Sequence, residues 1–119
     1  SAVTFSPDSH YVAITSGTQP TTAADTDDTL AMYKIDSGDV FTAVTISGTY
    51  ASTPTAGING AVFLDGANGL VTTTSDTTNA KACHYWIKTG TLAYTYQTNI
   101  CTAGATSAND YPASIAAFH

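Results

Sequence analysis

Three carboxylates and a hydroxyl stand together in Asp25-Thr26-Asp27-Asp28. The chemistry open to such a cluster is to hold a hard cation through oxygen ligands. It has neither the regular ligand spacing nor the closing Glu of an EF-hand loop, so it reads as a solvated turn and no metal is expected. His10, His84 and His119 are scattered, and no Cys-x-x-Cys or His-x-x-x-His spacing occurs. Cys83 and His84 are adjacent, which in a strand points them to opposite faces and puts His84 on the polar side of a half-buried strand. Hydroxyls are abundant, yet there is no Gly-x-Ser-x-Gly elbow and no defensible Cys–His arrangement. Two of the nine aspartates could in principle form a glycosidase pair, but nothing selects a pair. With three Lys, no Glu and no Arg, the usual acid/base and oxyanion-clamping side chains are missing. A protein without catalytic activity or cofactor is expected.

The aromatic residues and the cysteines are the remaining handles. Tyr94 and Tyr96 share one strand face, with Thr95 on the other. With Trp86 they either pack in a core, the reading favoured for a small domain, or form an exposed platform on which sugars could stack. Cys83 and Cys101 are the only cysteines, and their spacing suits a bridge from a strand to the loop after the next strand. Such a disulfide would stabilise by roughly 3 kcal/mol in the chain-entropy picture; two buried thiols are the alternative. The Thr-rich, charge-poor composition tilts the setting towards the extracellular. No Asn-x-Ser/Thr acceptor occurs, so glycans would be O-linked, at clusters such as Thr21-Thr22, Thr53, Thr55, Thr72 to Thr74, Thr77 and Thr78.

The elements that must carry these residues are strands. The chain lacks Glu and Arg and is poor in Leu, while Thr, Val, Ile and Tyr are plentiful, a balance that disfavours helices and favours an all-β class. Alternation and β-branched content predict strands at 2–5, 11–15, 29–35, 40–47, 60–64, 70–74, 82–87, 92–98 and 114–118. Turn chemistry falls at Pro7-Asp8, Ser37-Gly38-Asp39, Asp65-Gly66, Asn68-Gly69 and Thr89-Gly90. Residues 17–28 and 48–59 read as surface loops, and 102–112 is the most loosely specified stretch. A chain of 119 residues is expected to form one domain, 1–119.

The chain also says nearly the same thing twice. Val3-Thr4-Phe5-Ser6-Pro7-Asp8, Val12-Ala13-Ile14-Thr15 and Met32-Tyr33-Lys34-Ile35-Asp36-Ser37-Gly38 are answered by Ala61-Val62-Phe63-Leu64-Asp65-Gly66, Leu70-Val71-Thr72-Thr73 and His84-Tyr85-Trp86-Ile87-Lys88-Thr89-Gly90. The repeats cover about 2–47 and 60–101 at a period of roughly 55 residues, and Ala116-Ala117-Phe118 looks like the start of a third. Each unit resembles, locally, a blade of the Trp-Asp-repeat β-propellers: an apolar strand, Phe-Ser-Pro-Asp, a second strand, then an aromatic strand ending in Ser-Gly or Thr-Gly. The resemblance implies sheet units stacked or arranged radially, but each unit exceeds the usual blade period of about 40–45 residues and two blades cannot close a ring. The expected architecture is therefore antiparallel sheets in a β-sandwich, with two propeller-like blades as the alternative.

A net charge of −6 without Arg removes the electrostatic footprint that nucleic acid requires. No apolar run of about 20 residues is present to span a bilayer as a helix. Thr, Ser and Ala in place of long charged side chains give surfaces with little rotamer entropy to lose on contact. The expected partners are copies of the same chain. The terminal strands, through Ala2, Val3 and Phe5 or through Ile115, Ala117 and Phe118, would pair with a neighbouring subunit's sheet edge. The expected function is a structural subunit of an extracellular filament or virion surface layer; the alternative is a carbohydrate- or protein-binding module forming a propeller-like ring.

Overall fold

The computed structural model describes residues 2–17, 29–50, 57–74 and 81–102, without the side chains of Lys81, Ala82, Cys101 and Thr102. The Asp25-Thr26-Asp27-Asp28 cluster, residues 102–112 beyond Thr102 itself, the expected strand at 114–118 with Ile115, Ala117 and Phe118, and His119 lie outside the described residues.

Period-two stretches of β-branched and aromatic residues form nine strands among the described residues, and no helix. They are β1 (Ala2–Phe5), β2 (Tyr11–Thr15), β3 (Leu30–Asp36), β4 (Val40–Ala43), β5 (Thr45–Ser47), β6 (Ile58–Leu64), β7 (Gly69–Thr74), β8 (Lys81–Gly90) and β9 (Ala93–Thr102). The turns between them use residues that tolerate left-handed backbone: Ser9 after Pro7-Asp8, Gly38-Asp39, and Asp65-Gly66 all have positive φ. The first of these turns is tied by its own side chains. The Ser6 hydroxyl donates to Asp8 Oδ1, and the His10 backbone N–H donates to the same oxygen.

Two sheets result, a four-stranded one in the order β1-β2-β3-β4 and a five-stranded one in the order β5-β9-β8-β7-β6. Each sequence repeat therefore contributes an antiparallel meander, β1 to β4 and β6 to β9. The all-β class stands. One strand departs from the expected antiparallel scheme. The predicted strand 40–47 breaks at Val44, whose N–H donates to Met32 O in the first sheet while the next N–H, of Thr45, donates to Leu92 O in the second. The chain thus changes sheets within one residue, and β5 pairs parallel with β9. The second hairpin also differs from expectation: β8 runs through Thr89-Gly90, pairs Gly90 with Ala93, and turns at Thr91-Leu92.

The sheets enclose one core. Tyr11, Ala13, Leu30 and Met32 come from the first sheet; Ala61, Phe63, Leu70, Trp86 and Tyr94 come from the second, with Val44, Tyr50 and Ile58 filling between. Tyr94 meets Tyr11 edge to face at 6.0 Å, and its hydroxyl donates to Ala67 O. Burial pushes the Tyr94 phenol well above its ordinary range and raises that of Tyr96 in the same direction. A raised phenol pKa means that the folded state holds the proton more tightly than the unfolded chain. The resulting stability is complete below the unfolded tyrosine pKa of about 10 and is lost as pH rises through and beyond it. Spectrophotometric titration should therefore find Tyr94 ionising only together with base-induced unfolding. Its reversible ionisation near pH 10 in folded protein would contradict this packing.

Candidate functional site

A polar cluster with catalytic residue types exists, but it is sealed in the core. Trp86 Nε1 donates to Thr72 Oγ1 at 2.8 Å, and Thr72 Oγ1 lies 3.2 Å from His84 Nδ1. The His84 ring packs against Tyr50 at 4.8 Å. Thr72, His84 and Trp86 are all fully buried, so no solute reaches them and the network is structural. His84 is thus not on the polar side of a half-buried strand as expected. It shares the inward face of its sheet with Trp86, two residues on, and Thr72 satisfies its ring nitrogen.

The proposed stacking platform is corrected by the same geometry. Trp86 and Tyr94 have no exposed surface, and Tyr96, only partly buried, packs edge to face on Trp86 at 5.4 Å and donates its hydroxyl to Asn99 Oδ1. Trp86 and Tyr94 lie in the core, where a sugar has no access, and Tyr96 is packed against that core. Cys83 lies opposite Cys101 in the β8–β9 register. Because β9 reaches Thr102, the two cysteines sit on adjacent strands instead of on a strand and a loop.

Ala2, Val3 and Phe5 occupy β1, which forms one edge of the four-stranded sheet. On its far side β1 approaches β6, where the Thr4 hydroxyl donates to Ala61 O at 3.0 Å. Antiparallel register then aligns the outward residues of the sheet in rows. Val3 pairs with Ile14 and Ile14 with Ala31; Phe5 pairs with Val12, Val12 with Tyr33 and Tyr33 with Ala43; Ile35 pairs with Phe41. Every side chain in these rows is apolar or aromatic. Val3 is 62%, Phe5 58% and Phe41 56% exposed. Val3, Phe5, Val12, Ile14, Tyr33 and Phe41 line an apolar groove of about 310 Å³ on this face. An antiparallel sheet with one face in water normally alternates apolar and polar residues, whereas the outward rows of this one are apolar throughout and its polar positions, Lys34, Asp36 and Thr42 among them, lie on the alternate face.

Rows at the same register in the two sheets face oppositely, although the repeat alignment pairs Tyr33 with Tyr85 and not with Trp86. Phe63–Leu70–Trp86 of the second sheet turns into the core, and its counterpart Phe5–Val12–Tyr33 of the first sheet turns outward. Expectation from sequence picked out Val3 and Phe5 but missed Val12, Ile14, Tyr33 and Phe41. The available signal was the unbroken apolar run Tyr11-Val12-Ala13-Ile14, which leaves neither side of β2 polar.

The described charged groups near the first sheet lie off its apolar face. The Lys34 ammonium bonds the Asp36 carboxylate and holds it below its ordinary pKa, with help from the Thr42 hydroxyl. The Ser6 hydroxyl does the same for Asp8. Lys88 lies 4.7 Å from the Tyr11 ring centroid, a cation–π contact on the other side of the first sheet. Among the described residues no group of three or more His, Cys or Asp side chains is placed to hold a metal ion, and no helix is long and apolar enough to cross a membrane. Set against protein-family models, curated proteins and solved structures, the chain matches none of them.

Proposed function

We propose that this chain is a non-enzymatic structural subunit that assembles with copies of itself, in an extracellular filament or virion surface layer. The observation that carries this reading is the coincidence, on one sheet, of an edge strand β1 and an apolar outer face. Contiguous exposed apolar surface of this kind marks an interaction site in a soluble protein. Its Thr- and Ser-rich surroundings lose little side-chain entropy on contact. Terminal strands, β1 or the apolar stretch 114–118, complete a neighbour's sheet by strand addition. A Cys83–Cys101 disulfide belongs to the same reading: directly opposed residues of antiparallel strands have Cα atoms about 4.5–5.5 Å apart, within disulfide range.

Negative-stain electron microscopy over a range of concentrations tests it. Filaments or lattices are expected from the full chain and not from a variant lacking residues 114–119, which should stay folded. Ordered assemblies that persist unchanged after that deletion would sink the use of the C-terminal strand, and particles that never associate would sink the structural role. Mass spectrometry of the same unreduced material after alkylation reads the disulfide; two alkylated cysteines would remove it.

A further inference from the structure

The apolar outer face of the four-stranded sheet has the attributes of an isologous interface, and we infer that it is covered by the same face of a second copy, two subunits packing sheet to sheet about a two-fold axis. This rests on the self-assembly reading above and names the partner and the surface. Strand addition at an edge, by contrast, uses backbone groups and leaves the face uncovered.

Three observations select a second copy as the occupant. The first is that the face holds both halves of a self-complementary contact. Its groove of about 310 Å³ is flanked by the half-exposed rings of Phe5 and Phe41. A dry apolar cavity of about 150 Å³ already accepts benzene, so the groove has room for a partner's phenyl ring. Exposed phenyl rings and an apolar recess on one surface suit a two-fold contact, in which each residue meets its counterpart's neighbour reciprocally.

The second is charge. The outward rows carry no ionisable carboxylate or amine; Lys34 and Asp36 lie on the alternate positions of β3 and bond each other. A face without charge has nothing with which to select a foreign charged partner, and it brings no like charges together when two copies meet.

The third is area. Four strands at about 4.8 Å spacing and about five residues each present a footprint of roughly 19 by 17 Å. By footprint alone two such faces bury roughly 650 Å², and side-chain relief and rims add to it, which places the contact in the small, weak class of specific interfaces and calls for micromolar concentrations.

The test is sedimentation velocity of the full chain from low to high micromolar concentration, beside the variants Phe41→Asp, Ile14→Thr and Val40→Asp. Phe41 and Ile14 lie on the face but off the β1 edge; Val40 is similarly exposed at 55% but pairs with Asp36, so it points to the other side of the sheet. A concentration-dependent dimer is expected. Phe41→Asp should weaken it about 30-fold or more, as loss of a central aromatic does, and Ile14→Thr, which keeps the β-branched shape, should weaken it in the same direction. Val40→Asp adds the same charge one residue away and should leave the dimer within about threefold. Tryptophan fluorescence from buried Trp86 verifies that each variant is folded.

A full chain that is monomeric throughout overturns the face pairing. So does equal weakening by Phe41→Asp and Val40→Asp. A dimer that survives deletion of 114–119 supports it even where no filament forms, and a dimer lost with that deletion overturns it. Failure of strand addition and failure of face pairing are therefore told apart.

Discussion

Thr72→Val is expected to lower the stability of the fold by roughly 2–5 kcal/mol while leaving its shape unchanged, because it removes a hydrogen-bond partner from two buried polar side chains at once. Trp86 Nε1 is only a donor, so Thr72 Oγ1 accepts from it at 2.8 Å. The one hydroxyl proton of Thr72 is then available to His84 Nδ1, 3.2 Å away. Valine has nearly the same outline as threonine and neither function. Removing one partner of a buried hydrogen bond costs about 1–3 kcal/mol, and here two such bonds share a single atom. For a chain of this length each kcal/mol lowers the midpoint by roughly 4 °C, so a fall of about 10–20 °C is expected in thermal unfolding followed by Trp86 fluorescence. Thr72→Ser supplies the control, since it keeps the hydroxyl and loses only a methyl group worth about 1 kcal/mol. A Thr72→Val protein within 1 kcal/mol of the parent would show that the network adds little to the core.

Gly48→Ala should be comparably damaging, for reasons of backbone and space. Gly48 follows β5 with φ at +91°, and an added Cβ would stand 2.8 Å from Tyr96 Cβ and 3.4 Å from Tyr96 N. Those atoms belong to the root of a side chain on β9, which is held between β5 and β8, so they have no room to yield. Left-handed backbone in a residue with a Cβ costs about 1–3 kcal/mol, and overpacking adds another 1–3. A total near 3–5 kcal/mol is a large share of the stability of a small domain. Gly69→Ala is the instructive comparison. Its Cβ would stand 2.9 Å from Cε2 of Tyr85, the far end of a partly exposed ring that can swing away. Urea titration of both variants should find the Gly48 change costing at least about twice as much as the Gly69 change. Equal effects would mean that the β5–β9 junction tolerates a Cβ.

Much of the local structure was legible in the chain. The β1 and β2 boundaries follow from alternation at 2–5 and 11–15, and the turns at Pro7-Asp8, Gly38-Asp39 and Asp65-Gly66 follow from residues that accept positive φ. Two boundaries were not legible, because their cause lies elsewhere in the molecule. Val44 shows no break in β-propensity; the strand divides there because Met32 O on β3 and Leu92 O in the β8–β9 turn each capture one of two successive N–H groups. Thr89-Gly90 has turn chemistry, yet it stays in a strand because the neighbouring pairings Lys88–Tyr94 and Gly90–Ala93 carry the hairpin two residues further.

The candidate surface was half visible. Val3 and Phe5 drew notice as part of a terminal strand, whereas Phe41, Ile14 and Tyr33 join them only through the register of four strands. Trp86 and Tyr94 could have faced either way, and burial in the shared core decided it.

By itself the sequence determined the all-β class, the two meanders and most turns. These depend on interactions within a few residues: β-branched side chains that fit a pleated backbone, and Gly, Asp and Ser that accept tight turns. Tertiary structure alone decided which face of each strand is the inside. Alternation places successive residues on opposite faces but names neither face as core when both sets are apolar, as in Tyr11-Val12-Ala13-Ile14 and Ala61-Val62-Phe63-Leu64. Only the packing of one sheet against the other breaks that symmetry, burying Phe63 and leaving Phe5 in water.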